Sequence, residues 1–170
     1  LVVRTLERVL AADTRNVEAL AQSAQAQAQL GNRAAAEALL ARLRQVAPQD
    51  PRLGEADVTV RAATVDQGAL QEARRLAQSG RAAEAVQRYR DLFRGQPVPD
   101  IYAVEFFQTL AGTDGGFEEA RNGLQAFAAR NPADTRGQLA LAQVLTFRDA
   151  TRADGIRRLR QLAENPEASN

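Results

Sequence analysis

The side chains that ordinarily carry reaction chemistry are missing from this chain. Histidine, cysteine, methionine, lysine and tryptophan do not occur among its 170 residues. That removes the commonest metal ligands, the usual general base, and the imidazole, thiolate and amine nucleophiles. No glycine-rich phosphate loop, serine elbow or aspartate-rich calcium loop appears. Glu118 and Glu119 are adjacent carboxylates, but they fall at the start of a helix, where they complement the positive end of its dipole. The inventory points away from an enzyme, with no catalytic residue, metal or cofactor to assign, and towards a binding or scaffolding module.

Charge narrows the partners further. All 22 basic residues are arginine and 21 acidic residues nearly cancel them. Both signs are scattered along the chain, whereas a binder of phosphate backbones carries a basic stripe, so nucleic acid is not expected. Arg157, Arg158 and Arg160 read as cations complementing the carboxyl end of the last helix. The absence of cysteine fits an oxidising compartment without demanding one. No apolar run approaches the roughly 20 residues that cross a bilayer, and no signal peptide is visible. The chain starts at Leu1 without an initiator methionine, and LVVRTLERVLAADTRN (1–16) reads as the second helix of a repeat whose first helix is missing, so a fragment is expected.

The elements that hold these residues repeat. In Asp66–Pro99, Ala69, Ala73 and Leu76 recur at helical spacing, Gly80 breaks the pattern, and Ala82, Ala85, Val86, Tyr89, Leu92 and Phe93 resume it before Pro97 and Pro99 end it. A hairpin this short cannot bury both apolar stripes alone and must stack on neighbours. Gly31, Ala36 and Pro48 keep the spacing of Gly80, Ala85 and Pro97, as do Gly115, Ala120 and Pro132. The closing prolines fall at 48, 97, 132 and 166, with Thr14 in the place of an earlier one, in steps of 34, 49, 35 and 34. A 34-residue helix-turn-helix unit with a small residue in its second helix and a closing proline resembles the tetratricopeptide repeat. The expected fold is an all-α, right-handed superhelical solenoid of such repeats.

The expected boundaries are a truncated repeat at 1–16, complete repeats at 17–50, 66–99, 101–134 and 135–166, and a tail at 167–170. The 49-residue step leaves 15 residues, PRLGEADVTVRAATV (51–65), as an inserted helix without a hairpin partner. Asp50 caps it, Pro51 opens it, and Thr64 with Gln67 has the spacing that starts the next helix. Gly54 and the run Val58–Thr59–Val60 weaken its helix propensity, which leaves a strand open on local grounds. An odd helix in a two-helix period redirects the array, so the segment bounded by Pro51, Gly54 and Val65 is a candidate hinge, with a rigid bend as the alternative. In the later repeats Thr113–Asp114–Gly115–Gly116 forms a turn whose glycines permit positive φ. Leu139, Ala142 and Leu145 face the last helix, which Thr151 with Asp154 starts, and Gly155, displaced by one position, replaces the small alanine.

In stacked hairpins the first helices line the concave face. By helical spacing the residues presented there are Gln25 and Gln29, then Gln71, Arg74 and Gln78, then Tyr102, Glu105, Phe106 and Thr109, and finally Arg136, Gln143 and Phe147. Amides and aromatic faces suit extended polymers, either peptide or sugar. Repeats that clamp a peptide carboxylate need lysines on this face, and there are none.

LAQSGRAAEAVQRYRDLF (76–93) and the stretch 118–166, above all its LTFRDATRADGI (145–156), resemble the repeat region of the C-subunit family of bacterial cellulose synthase. The likeness runs from about Leu70 to Pro166, and the first repeat resembles only the broad repeat class. The resemblance implies a non-catalytic periplasmic scaffold of the cellulose synthesis and export machinery. The partners it implies are other synthase-complex subunits, with the glucan chain or peptidoglycan as further ones. It also implies a full-length protein anchored in the outer membrane by a β-barrel that is not in this sequence. A scaffold for another exported polysaccharide and a generic peptide-binding adaptor are the alternative readings.

Overall fold

A computed structural model describes residues 2–164. Leu1, the closing proline Pro166 and the 167–170 tail lie outside the described residues. The described residues are helical with no strand, and they form two compact units that divide between Asp66 and Gln67.

The first unit contains α1 (Val2–Ala12), α2 (Val17–Gln29), α3 (Arg33–Val46) and α4 (Pro51–Ala63). Local chemistry sets the ends. The Asn16 side chain accepts from the Ala19 amide at 2.9 Å to start α2. Gly31 closes α2 at φ 79°, a conformation that costs glycine little. The Asp50 carboxylate accepts from the Arg52 amide at 3.0 Å, with Pro51 in the first turn of α4. Leu20, Ala24, Ala28, Ala36, Leu40, Leu43, Ala56 and Val60 form one buried cluster. The inserted helix α4 is therefore not unpartnered in packing. Ala56 and Val60 bury it against α2 and α3, with α2 the larger partner. It is a helix despite Gly54 and the β-branched run, because packing overrides a weak propensity.

The second unit contains α5 (Gln67–Gln78), α6 (Ala82–Leu92), α7 (Asp100–Ala111), α8 (Phe117–Arg130), α9 (Thr135–Leu145) and α10 (Asp149–Glu164). The pairs α5/α6, α7/α8 and α9/α10 are antiparallel hairpins, and α6 on α7 and α8 on α9 join successive hairpins. Gly80 and Gly115 turn two of these hairpins at φ 79° and 78°, as Gly31 does in the first unit. The small residues Ala36, Ala85 and Ala120 have no exposed surface. Gly155 takes the same role in α10, where an added Cβ would stand 2.7 Å from the Ala142 carbonyl oxygen.

Several local expectations change. Helix α6 ends at Leu92, and Arg94 and Gly95 turn the chain at φ 53° and 70°, so it stops before Pro97 and Pro99 are reached. Gly116 has φ −79° and is required for space, since a Cβ there would meet the Leu110 carbonyl oxygen at 2.2 Å. Helix α10 begins at Asp149, two residues before Thr151, whose hydroxyl donates to the Leu145 carbonyl at 2.6 Å. Arg157 and Arg158 both pair with Asp154 in the body of α10, so neighbouring charge and not the helix end holds them.

Candidate functional site

Within the second unit, two polar rungs tie the first helices of successive hairpins together. Arg74 of α5 donates from Nε and Nη2 to the two carboxylate oxygens of Glu105 on α7, at 2.8 and 2.9 Å. This fork-to-fork geometry is the strong form of an ion pair. Gln108 of α7 donates from Nε2 to Gln143 Oε1 of α9 at 3.0 Å. Tyr89 of α6 packs beneath the first rung with 1% of its surface exposed. Burial foremost, and the Glu105 charge next, push its phenol up to about 12. Glu105 in turn holds the Arg74 guanidinium above its ordinary value through their hydrogen bonds.

Helical periodicity extends these rungs into a strip. Residues 101, 105 and 108 share one face of α7, and 136, 139 and 143 share one face of α9, with Phe147 in the turn that follows it. Ile101, Leu139 and Phe147 are exposed on this strip at 65%, 44% and 47%, beside the exposed amides of Gln71, Gln78, Gln108 and Gln143. The result is a surface of neutral amides and isolated apolar side chains with its central charges paired off.

The sequence-derived residues divide on this frame. Gln71, Gln78, Gln143 and Phe147 are exposed, and Arg74 and Glu105 form the pinned rung. Tyr102 and Phe106 do not line a surface. At 7% and 4% exposure they are core, with Tyr102 stacked on Phe93 at 5.7 Å and Phe106 edge-on to Tyr89 at 6.0 Å. Aromatic rings bury the largest apolar areas, so they turn inward and rotate the exposed stripe of α7 by one residue, to Ile101 and Gln108. The Thr109 hydroxyl is bound to the Glu105 carbonyl at 2.7 Å. Arg136 is engaged by Asp134, with Nη2 to Oδ2 at 2.7 Å, while Asp134 also accepts the Arg136 amide and caps α9. That hydrogen bonding, led by the Arg136 side chain, holds the Asp134 carboxyl below its usual range.

Gln25 and Gln29 lie on α2 in the first unit, half-buried and exposed respectively. Pro51 is exposed at the start of α4, Gly54 is exposed one turn on, and Val65 is half-buried between α4 and α5. The sequence reading missed Ile101, Gln108 and Leu139. Leu139 reads as core by spacing, and the other two follow only from the packing of Tyr102 on Phe93 and of Phe106 on Tyr89. Among the described residues no group of three or more metal-binding side chains occurs, and no helix is long and apolar enough to cross a membrane.

Similarity to known proteins adds the family. A tetratricopeptide-repeat family model matches residues 3–56. A cellulose synthase operon protein C from Komagataeibacter xylinus is 42% identical over 136 residues, 80% of this chain and 10% of the relative. The protein of that name from Xanthomonas axonopodis pv. citri is 37% identical over 167 residues, 96% of this chain and 11% of the relative. The chain thus spans a small part of the curated relatives it matches. Among solved structures, the flexible tandem repeat domain of the bacterial cellulose synthase C subunit matches with a TM-score of 0.61 and 29% identity, covering 96% of this chain and 75% of that one. The described residues accordingly have an all-α tetratricopeptide-repeat fold, and the chain is homologous over most of its length to the cellulose synthase operon protein C family.

Proposed function

We propose that this chain is a non-catalytic scaffold segment of the bacterial cellulose synthesis and export machinery, working in the periplasm through protein contacts and guiding the glucan towards an outer-membrane pore. The observation that carries the reading is the 37% identity to cellulose synthase operon protein C across 96% of the chain. The repeat architecture supports it, since stacked hairpins present a continuous side-chain surface and the chain lacks the usual nucleophiles and bases. The other subunits of the synthase complex are the partners this reading calls for. We further assign the segment 51–65 as the hinge of the array, with Pro51, Gly54 and Val65 as its residues. In support, the boundary between compact units falls directly after it, at Asp66.

The test is site-specific photo-crosslinking in the full-length protein, with the crosslinker at Gln78 or Gln108. Crosslinks to synthase-complex subunits in cells making cellulose are the expected result. Capture of no complex subunit from either position, with the protein at normal abundance, contradicts the reading.

A further inference from the structure

We infer that the strip formed by α5, α7 and α9 is a subsite for an uncharged, polyhydroxylated chain, a β-linked glucan in extended form, and that Gln143 and Phe147 are its principal contacts. This deepens the proposed function and rests on it for the choice of polymer.

The argument begins with charge. Arg74 and Glu105 neutralise each other through two hydrogen bonds, and Arg136 is held by Asp134. Arg75, exposed on α5, adds one positive charge at the edge of the strip. A surface whose central charges are paired with each other carries little net charge to attract an acidic or basic peptide. The groups presented outward are amides and apolar side chains. A primary amide carries two donors and an acceptor, so Gln108 and Gln143 keep bonding capacity after spending one bond on each other. Hydroxyl groups, each donor and acceptor at once, match that capacity without any net charge.

The apolar groups complete the fit. Phe147, Leu139 and Ile101 are the large apolar side chains left exposed along the two faces, at 47%, 44% and 65%. Leu139 and Gln143 stand about one turn apart on α9, and the exposed Phe147 follows in the turn after the helix, so apolar side chains precede and follow this amide along the chain. An extended glucan has the same alternation, with apolar C–H ring faces and a hydroxyl rim. Aromatic and apolar platforms bind the former while amides bind the latter. Gln71 on α5 extends the line of amides beyond the Arg74–Glu105 rung. The rung itself acts as a positioning element: with Tyr89 packed below, it fixes α5 against α7 and keeps a charged side chain from reaching the ligand.

The experiment is an amide NMR titration of the 170-residue chain with cellohexaose, repeated for Gln143→Ala, Phe147→Ala and the control Gln87→Ala, which lies on exposed α6 surface. Circular dichroism checks that each variant folds. The expected result is saturable shifts on α7 and α9 around Gln108 and Gln143. Affinity should fall five-fold or more in F147A and Q143A and stay unchanged in Q87A. A poly-glutamate and a poly-arginine peptide should shift these residues less than the sugar at equal concentration. No saturable shift, shifts confined to other helices, or tighter binding of either peptide overturns the inference. In parallel, the full-length protein carrying Q143A and F147A is crosslinked from Gln78 in cells. Retained crosslinks to synthase subunits without any sugar shift overturn the subsite and keep the scaffold, whereas loss of the crosslinks alone bears on the scaffold.

Discussion

Replacing Gly155 by alanine tests whether a tightly packed hairpin closes the second unit. In a helix interior, glycine to alanine stabilises by about 1 kcal/mol through backbone entropy. At Gly155 the new methyl would stand 2.7 Å from the Ala142 carbonyl oxygen, 3.0 Å from the Thr146 amide nitrogen and 2.9 Å from the Thr146 γ-methyl. Two of these atoms are backbone, so relief requires α10 to draw away from the end of α9, and overpacking of this kind costs about 1–3 kcal/mol. The net effect is a loss of roughly 1 kcal/mol. Gly54 supplies the contrast. It lies inside α4, where an added methyl would have nothing within 4 Å, so the same change there stabilises by up to about 1 kcal/mol. Urea denaturation of the whole chain, followed by far-ultraviolet circular dichroism, reads both. A lower midpoint for G155A and a higher one for G54A are expected. A G155A chain at least as stable as the parent refutes the packing argument.

Three further outcomes follow from the same structure. With Tyr102→Phe, Tyr89 is the remaining phenol, and absorbance titration at 295 nm should place its ionisation at about 12, so a midpoint at the ordinary value near 10 would show that it is not buried. Because the folded pKa is raised, the associated stability is full below about 10 and declines as pH rises through the folded value. On the acid side the Asp134 pKa is depressed, so the stability from its bond to Arg136 is present above the usual carboxylate pKa of about 4 and is lost as pH falls through the lower folded value. Asp134→Asn should flatten that acid limb in denaturation curves taken from pH 6 downwards, and an unchanged limb would count against the bond. For the proposed hinge, crystallographically independent copies should differ mainly by rotation near 51–65, and rotation confined elsewhere would remove it.

The repeat was legible because its signals are local and recur. Glycines that turn at positive φ, alanines with no exposed surface and capping side chains at Asn16 and Asp50 each act within a few residues, so a single chain displays them at fixed spacing. The surface was less legible because it depends on which face of a helix turns inward. Tyr102 and Phe106 fit a surface stripe by spacing alone, and only the rings of Tyr89 and Phe93 on the preceding helix draw them into the core. Leu139 erred the other way, since Ala140, Leu141, Ala142, Val144 and Leu145 form the buried side of α9 and Leu139 stays 44% exposed. The rungs Arg74–Glu105 and Gln108–Gln143 span 31 and 35 residues, about one repeat, so the period brings their helices together but does not say which side chains bond. The packing of α4 on both α2 and α3 was hidden too.

The central claim is that this chain serves cellulose synthesis through its surface. The most direct measurement replaces residues 17–164 in the full-length protein by idealised repeats of equal length with unrelated exposed residues, and quantifies secreted cellulose. The account predicts that the replacement folds and reaches normal abundance while cellulose output falls at least ten-fold. Wild-type output from the replaced protein would contradict it.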